Sequence, residues 1–367
     1  MSIVLEHYRY LHTIPELGFQ EFQTADYIAS QLEAAGYNVT RGVNGTTGIV
    51  AELDSAIPGP VLALRADMDA LGHIINGEHC ARHTCGHDAH ASVVLTVAQE
   101  VIREGSVKKG RLKILFQPAE ELATGAIAMV EGGAIDDVEI LLGFHLRPVE
   151  ECVLGEAIPA MHYSASSTLE VTFHGKPAHG ARPHLGINAL EAAAYAVMAV
   201  KAVPLPPHLT WSAKATRFLC DAGVTNSIPD KAIVCWDLRA AHNDTMDMLK
   251  EKVTCAIEHS AAAFGAIADV KLMKFIPAAE IHQDATTLIS EAIVDVLGSA
   301  GLTPPKSTVG GEDFFFYPRL RPNVKAGFWG LGTNLEPGLH HPDMHFDLKS
   351  LEVGVRIFKR CIEKTLG

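Results

Sequence analysis

Residues able to hold or serve a divalent metal stand in four short segments of this chain, far apart in sequence. The segments are His83-Thr84-Cys85-Gly86-His87-Asp88, Gln117-Pro118-Ala119-Glu120-Glu121, Gly143-Phe144-His145 and Leu339-His340-His341-Pro342. Together they offer a thiolate, two adjacent glutamates and several imidazoles, a donor set suited to Zn, Mn, Co or Ni. A structural zinc site draws its ligands from a few tight turns. Donors scattered from Cys85 to His340 need a folded scaffold to gather them, as catalytic sites do.

The scaffold shows in the hydrophobic pattern. Apolar runs at 48–53, 61–64, 112–116 and 140–144 read as strands, and periodic apolar positions at 21–32 and 88–102 read as helices. Near-continuous apolar strands alternating with helices predict an α/β fold, with a mostly parallel sheet and helices on both faces. Asp67, the pair Glu120 and Glu121, and His145 each follow one of these strands. Open α/β sheets bind their ligands beyond the carboxyl ends of the strands. Cys85 and His87 precede the 88–102 helix, whose N-terminal dipole favours a thiolate at Cys85.

Near residue 165 the pattern becomes β-α-β-β-α-β, the ferredoxin-like order. Its strands fall at 168–173, 209–218, 232–238 and 268–272, and its helices at 187–202 and 244–264. A helix at 285–300 resumes the first pattern. The expected organisation is a catalytic, metal-binding domain of 1–165 and 275–367, interrupted by an inserted α+β domain of 166–274. A chain of 367 residues is long enough for both.

Composition removes several function classes. A net charge of −13 argues against a nucleic-acid or anionic-membrane partner. No run approaches the roughly 20 apolar residues of a membrane span. The N-terminal residues lack the basic start and apolar core of a signal peptide. Seven widely spaced cysteines, an odd number, argue against a disulfide framework, so a cytoplasmic location is expected.

The candidate chemistry is metal-assisted hydrolysis. His83, Cys85, His87, Asp88 and His90 crowd one turn, and burying them without a charged partner would be costly, which points to ligation by Cys85 and His87. Side chains of adjacent residues diverge, so one of Glu120 and Glu121 can hold an ion while the other takes a proton from water. His145 gains weight only from agreement with the others. Between His340 and His341 the residues themselves leave the choice open. In the inserted stretch, His179 lies in a donor-rich loop suited to an oxyanion. Asn226 and Arg239 suit a carboxylate, and the backbone N–H groups of Gly310 and Gly311 suit an anion. Two rivals stand beside this reading. One is a metal-free amidase using Cys85 as nucleophile and His87 as base. The other is a non-catalytic acyl-amino-acid-binding protein, which would have no use for a spare base.

Six ordered motifs carry a resemblance over nearly the whole chain. They are Leu11-His12-Thr13-Ile14-Pro15-Glu16-Leu17-Gly18-Phe19, Arg65-Ala66-Asp67-Met68-Asp69-Ala70-Leu71, Cys85-Gly86-His87-Asp88, Gln117-Pro118-Ala119-Glu120-Glu121, 175–183 and Glu312-Asp313-Phe314. The chain resembles the metallopeptidase family of aminoacylases and glutamate carboxypeptidases. Its branch looks like the amidohydrolases that include hippurate hydrolases, indole-acetyl-amino-acid hydrolases and N-acetyl-diaminopimelate deacetylases. The resemblance implies a metal-dependent exopeptidase-like fold and a two-metal hydrolase of N-acyl amino acids. It implies Cys85, His87, Glu121, His145 and His340 as ligands and Glu120 as general base. It further implies a homodimer through the inserted domain, with His179 crossing to the partner's oxyanion and Asn226 and Arg239 assisting at the substrate carboxylate.

Overall fold

In the computed structural model, which describes residues 2–308 and 310–367, the chain divides into two compact units. One is Met1–His162, Glu280–Thr308 and Glu312–Gly367, and the other is Tyr163–Ala279 and Val309–Gly311. Among the described residues no helix is long and apolar enough to cross a membrane.

The first unit is organised by a seven-stranded sheet. In spatial order its strands are Asn38–Arg41, Ile49–Asp54, Arg111–Gln117, Val61–Asp67, Ile140–Pro148, Lys325–Leu335 and Ala157–Ile158. The central four, Arg111–Gln117 through Lys325–Leu335, pair in parallel. The outer pairings are antiparallel. The sheet is therefore mixed, with a parallel centre and antiparallel edges. The 48–53 and 112–116 runs both form strands, but an apolar run carries no sign of the direction in which it pairs.

Alternation along the central strands separates two packing surfaces. Leu62, Leu64 and Ala66, Ile114 and Phe116, Leu142 and Phe144, and Trp329 and Leu331 join one core with the helices Ile3–His12, Phe22–Ala35, His87–Glu104, Gln283–Leu297 and Ser350–Leu366. On the other side Gly143 lies against Phe314 and Phe328, and the Arg65 guanidinium lies over the Phe314 ring. Val61–Asp67 is consequently buried at every position. The helix His87–Glu104 is buried continuously from His87 to Ala98, and it stops where Gly105 takes a left-handed φ of 61°.

Among the elements of this unit that the hydrophobic pattern misses, three bear on the site. A hairpin, Leu71–Ile75 with Glu78–Arg82, turns on Asn76-Gly77, both at positive φ. That pair is a strong hairpin signal, but the flanking residues do not alternate cleanly. The strand Lys325–Leu335 is broken up in sequence by Gly327, Gly330 and Gly332. Each glycine has a packing cause: a Cβ on Gly332 would fall 1.9 Å from the Val153 carbonyl oxygen, and one on Gly327 would meet Ile289 at 2.8 Å. The amphipathic helix Ser350–Leu366 then covers Phe144 and Trp329 through Phe358. The 285–300 helix ends earlier than expected, at Leu297.

One glycine controls the turn that follows Arg111–Gln117. A Cβ on Gly125 would lie 1.6 Å from the Pro118 carbonyl oxygen. Gly125→Ala is expected to force the 118–125 segment apart and to lower stability by about 1–3 kcal/mol, the usual cost of overpacking. A urea denaturation series would register this as a lower midpoint with an unchanged slope.

The second unit holds a four-stranded antiparallel sheet in the order Trp211–Leu219, Lys231–Ala240, Ala165–His174, Ile267–Ile276. The helices Ala189–Lys201 and Asn243–Ala263 pack on it around Phe173, Trp236, Leu238 and Val253.

Candidate metal centre

All the site residues described next belong to the first unit. Its parallel strands deliver them. Asp67 is the last residue of Val61–Asp67, and the 118–124 turn carrying Glu120 and Glu121 follows Arg111–Gln117. His145 lies within Ile140–Pro148 rather than beyond it, because the strand continues through Leu146 and Arg147 while pairing with Lys325–Leu335. Cys85 and His87 flank Gly86, whose φ of 86° makes the sharp entry into the helix His87–Glu104. Ala119 and Ala123 bracket the glutamate pair, both with left-handed φ, at 51° and 56°. Such conformations are costly for alanine and cluster at functional sites.

Two imidazoles are oriented as metal ligands are. His87 Nδ1 is 3.0 Å from Asp69 Oδ1 and donates to that carboxylate, so its Nε2 faces the glutamates. His145 Nδ1 donates to the Leu146 carbonyl at 2.6 Å, which leaves its Nε2 lone pair directed at Cys85 Sγ, 3.4 Å away. Around His87 Nε2 stand Asp67 Oδ2 at 3.9 Å, Glu120 Oε2 at 4.0 Å and Glu121 Oε1 at 3.9 Å. His340 Nε2 lies 3.4 Å from the same Glu121 oxygen. His340 is itself fixed by a left-handed φ of 66° and by its N–H, which donates to the Thr84 carbonyl. His341 instead accepts the Asp343 N–H on its Nδ1.

The electrostatics separate the two glutamates. Burial, then the charges of Glu312, Asp313 and Glu121, push the Glu120 carboxyl well above the usual carboxylate range. Burial also pushes Glu121 upward, but His340 and His87 outweigh it and leave Glu121 below its ordinary value. Burial, His90 and Arg147 keep His145 neutral. His87 behaves oppositely: burial disfavours its charge, yet Asp67, Cys85 and Asp69 prevail and hold a proton on it. Burial pushes the Cys85 thiol far up, against the help of His87. The helix dipole therefore does not by itself yield a thiolate, which corrects the sequence expectation and disfavours a metal-free Cys85 nucleophile.

These residues fit a divalent metal. His87 Nε2 and Glu121 Oε1 are buried and make no hydrogen bond, a costly arrangement unless another group takes them up. Three overlapping sets, Cys85 with His87 and His145, Cys85 with Glu121 and His340, and His87 with Glu120 and Glu121, each place their donor atoms within 4.8 Å of one another. The raised proton affinity of His87 marks the same point: the surrounding carboxylates favour positive charge there.

Several residues around the donors were not assigned from sequence. Arg65, fully buried, donates to Asp67 at 2.6 Å, Asp313 at 3.0 Å and Gln117 at 2.8 Å. Asp69 also accepts the Glu121 backbone N–H at 3.1 Å. His90 bonds Asp67 at 2.7 Å through Nδ1 and accepts the Leu146 N–H on Nε2. The signal available was the run Arg65-Ala66-Asp67-Met68-Asp69, charges closing an otherwise apolar strand. The remaining candidates, His179, Asn226, Arg239, Gly310 and Gly311, belong to the second unit. His179 is exposed and accepts the Ala181 N–H on Nδ1. Arg239 is engaged by Asp237 at 3.1 Å. Asn226, Gly310 and Gly311 are exposed.

Residues 63–364 match peptidase family M20/M25/M40. The N-acetyl-L-cysteine deacetylase of Bacillus subtilis is 30% identical, over 92% of this chain and 82% of its own length. The indole-3-acetyl-aspartic acid hydrolase of Enterobacter agglomerans is 29% identical, over 95% of this chain and 92% of its own. The crystal structure of Bacillus subtilis YXEP, a dinuclear metal-binding peptidase, superposes with a TM-score of 0.80 at 27% identity, covering 99% of this chain and 97% of that one. The chain belongs to peptidase family M20/M25/M40 and is a hydrolase of its amidohydrolase branch.

Proposed function

We propose that this member of the family hydrolyses the amide bond of N-acyl amino acids at a dinuclear metal centre. The observation that carries the reading is His87 Nε2, buried and without a hydrogen bond, facing Glu120 and Glu121 at 4.0 and 3.9 Å. Cys85, His87, Glu121, His145 and His340 would hold the ions, a donor set suited to Mn, Zn, Co or Ni. Bound there, the pair would supply Lewis acidity that acidifies water and polarises the amide carbonyl.

The chain's own residues divide the remaining work. Glu120 takes the proton of the attacking water and returns it to the leaving amine. Its raised proton affinity suits this shuttle, because the protonated form must persist until the amine departs. Glu121, held ionised, is the better ligand of the two. The substrate class is supported by the deacetylase and the acyl-aspartate hydrolase among the relatives.

The second unit is read as ferredoxin-like and as a dimerisation domain. Its edge strand Trp211–Leu219 exposes Phe218 and Leu219, and its helix Ala189–Lys201 exposes Leu190, Tyr195 and Met198. An open strand edge beside apolar side chains suits pairing with a second copy. His179 of that copy would then donate to the developing oxyanion from Nε2–H, since its Nδ1 is already an acceptor. Asn226 and Arg239 would meet the substrate carboxylate, Arg239 by exchanging its contact with Asp237.

Chelation tests the reading. Exhaustive treatment with a chelator is expected to abolish hydrolysis of every responsive substrate in a panel of N-acyl amino acids, and Mn, Co, Ni or Zn added back singly should restore it. Hydrolysis that resists chelation but falls to iodoacetamide would favour the Cys85 amidase. No amine release with any acyl group or metal would favour a binding protein.

A further inference from the structure

The motif that begins at Leu11 has no part in the chemistry above, yet its continuation reaches the catalytic turn. Glu21 has no solvent exposure and stands at the N-cap of Phe22–Ala35, but its side chain does not cap that helix. Its Oε1 accepts the Ala119 backbone N–H at 2.9 Å, and its Oε2 accepts the Thr47 hydroxyl at 2.5 Å. Ala119 immediately precedes Glu120 and has a φ of 51°. Left-handed backbone is disfavoured for alanine by roughly 5- to 30-fold, so something must hold it. Three groups do. Glu21 takes the Ala119 N–H, the Gly125 N–H donates to the Ala119 carbonyl at 3.3 Å, and Gly18 packs so closely that a Cβ there would lie 3.0 Å from Ala119 Cα and Cβ. Gly18 and Glu21 belong to the same loop.

We propose that Glu21 is a positioning residue for the Glu120–Glu121 pair: by holding Ala119 left-handed, it sets the direction in which both carboxylates leave the chain. The inference rests on the reading of Glu120 as base and Glu121 as ligand. If Ala119 relaxed to negative φ, the following peptide would rotate. Glu120 and Glu121 would then lose their shared aim at His87 Nε2. Glu21 does this through backbone alone and touches no candidate ligand.

The test compares wild type with Glu21→Ala, Glu21→Gln, Ala119→Gly and the double variant Glu21→Ala/Ala119→Gly. Mn(II) binding is measured by calorimetry, turnover on N-acetyl amino acids, and the urea midpoint of the metal-free protein. Glu21→Ala is expected to lose roughly 10- to 100-fold in Mn(II) affinity and in kcat, the usual range for residues that orient ligands. Glu21→Gln keeps an oxygen for the Ala119 N–H and should stay near wild type. Ala119→Gly alone should be nearly silent, because glycine adopts positive φ without strain. In the Glu21→Ala background it should recover much of the Mn(II) affinity. A purely structural role would lower the midpoint without that rescue, and this result, or wild-type Mn(II) affinity in Glu21→Ala, overturns the proposal. Should Glu21→Ala fail to fold, Thr47→Val loosens the same carboxylate. It should show a smaller loss with the same rescue by Ala119→Gly, and no loss or no rescue counts against the proposal. Full turnover in Glu120→Gln would overturn the general-base reading alone, since the Mn(II) affinities judge Glu21 independently.

Discussion

Glu120→Gln is expected to keep its metal complement and to lose turnover by about 10²- to 10⁴-fold, the range general-base catalysis contributes. The substitution preserves shape. The Oε1 that accepts the Asp313 N–H at 3.4 Å persists as an amide oxygen, so the turn should stay in place. What disappears is the basic oxygen near His87 Nε2 and the ability to carry a proton from water to amine. Stability should move the other way. In the metal-free protein Glu120 has a folded-state proton affinity raised by burial and by Glu312, Asp313 and Glu121. A group raised in this way contributes stability below its unfolded pKa and loses it as pH rises through the folded one. The amide does not titrate, so the metal-free variant should gain on wild type as pH increases. Metal per chain by elemental analysis, kcat on a responsive N-acyl amino acid, and urea midpoints at two pH values together decide the matter. Intact metal with near-normal kcat would remove Glu120 from the chemistry. Lost metal would instead make it a ligand.

The sequence exposed the donors more clearly than what holds them. Cys85, His87, Glu120, Glu121, His145 and His340 could be named because each is an unusual residue at the end of an apolar run or in a Gly- or Pro-rich turn. Their orienting partners could not be paired, because Asp69 with His87, and Arg65 with Asp313, are contacts between distant segments that no local period encodes. The same limit applies to the strand Lys325–Leu335. Its glycines weaken the strand signal, and their cause is the close approach of Val153, Ile289 and Arg147, visible only once the chain has folded. Cys85 shows a local rule overridden: a helix N-terminus lowers a thiol pKa in water, but here burial dominates. The glutamate pair shows why adjacent identical residues acquire different proton affinities. One faces Glu312 and Asp313 and the other faces His340, a distinction set by residues that lie far along the chain.

Arg65→Met is expected to destabilise the protein by about 3–5 kcal/mol, the cost of removing one partner from a buried ion network. The Arg65 side chain is wholly buried, and its guanidinium meets Asp67, Glu312 and Asp313 at 2.6, 3.2 and 3.0 Å. Methionine fills much of the volume but leaves three buried carboxylates without their cation. Arg65→Lys should recover little, since an ammonium cannot reproduce the fork that also holds Gln117 at 2.8 Å. The penalty should deepen with pH. Asp313 is already pushed up to about 7 by burial against the pull of Arg65, from an ordinary 3.8. Its protonated form is therefore favoured in the fold, and its stabilising contribution falls as pH rises between those values. Without Arg65 the folded value moves higher and the loss extends further. The double variant Arg65→Met/Asp313→Asn should be less destabilised than the sum of the singles, because it removes one of the orphaned charges. Urea midpoints at pH 6 and 8 for the two singles and the double provide the cycle. Strict additivity would mean that Arg65 supports the strand end through packing, and that Asp67, the one carboxylate it shares with His87 and His90, is held in place by those imidazoles instead.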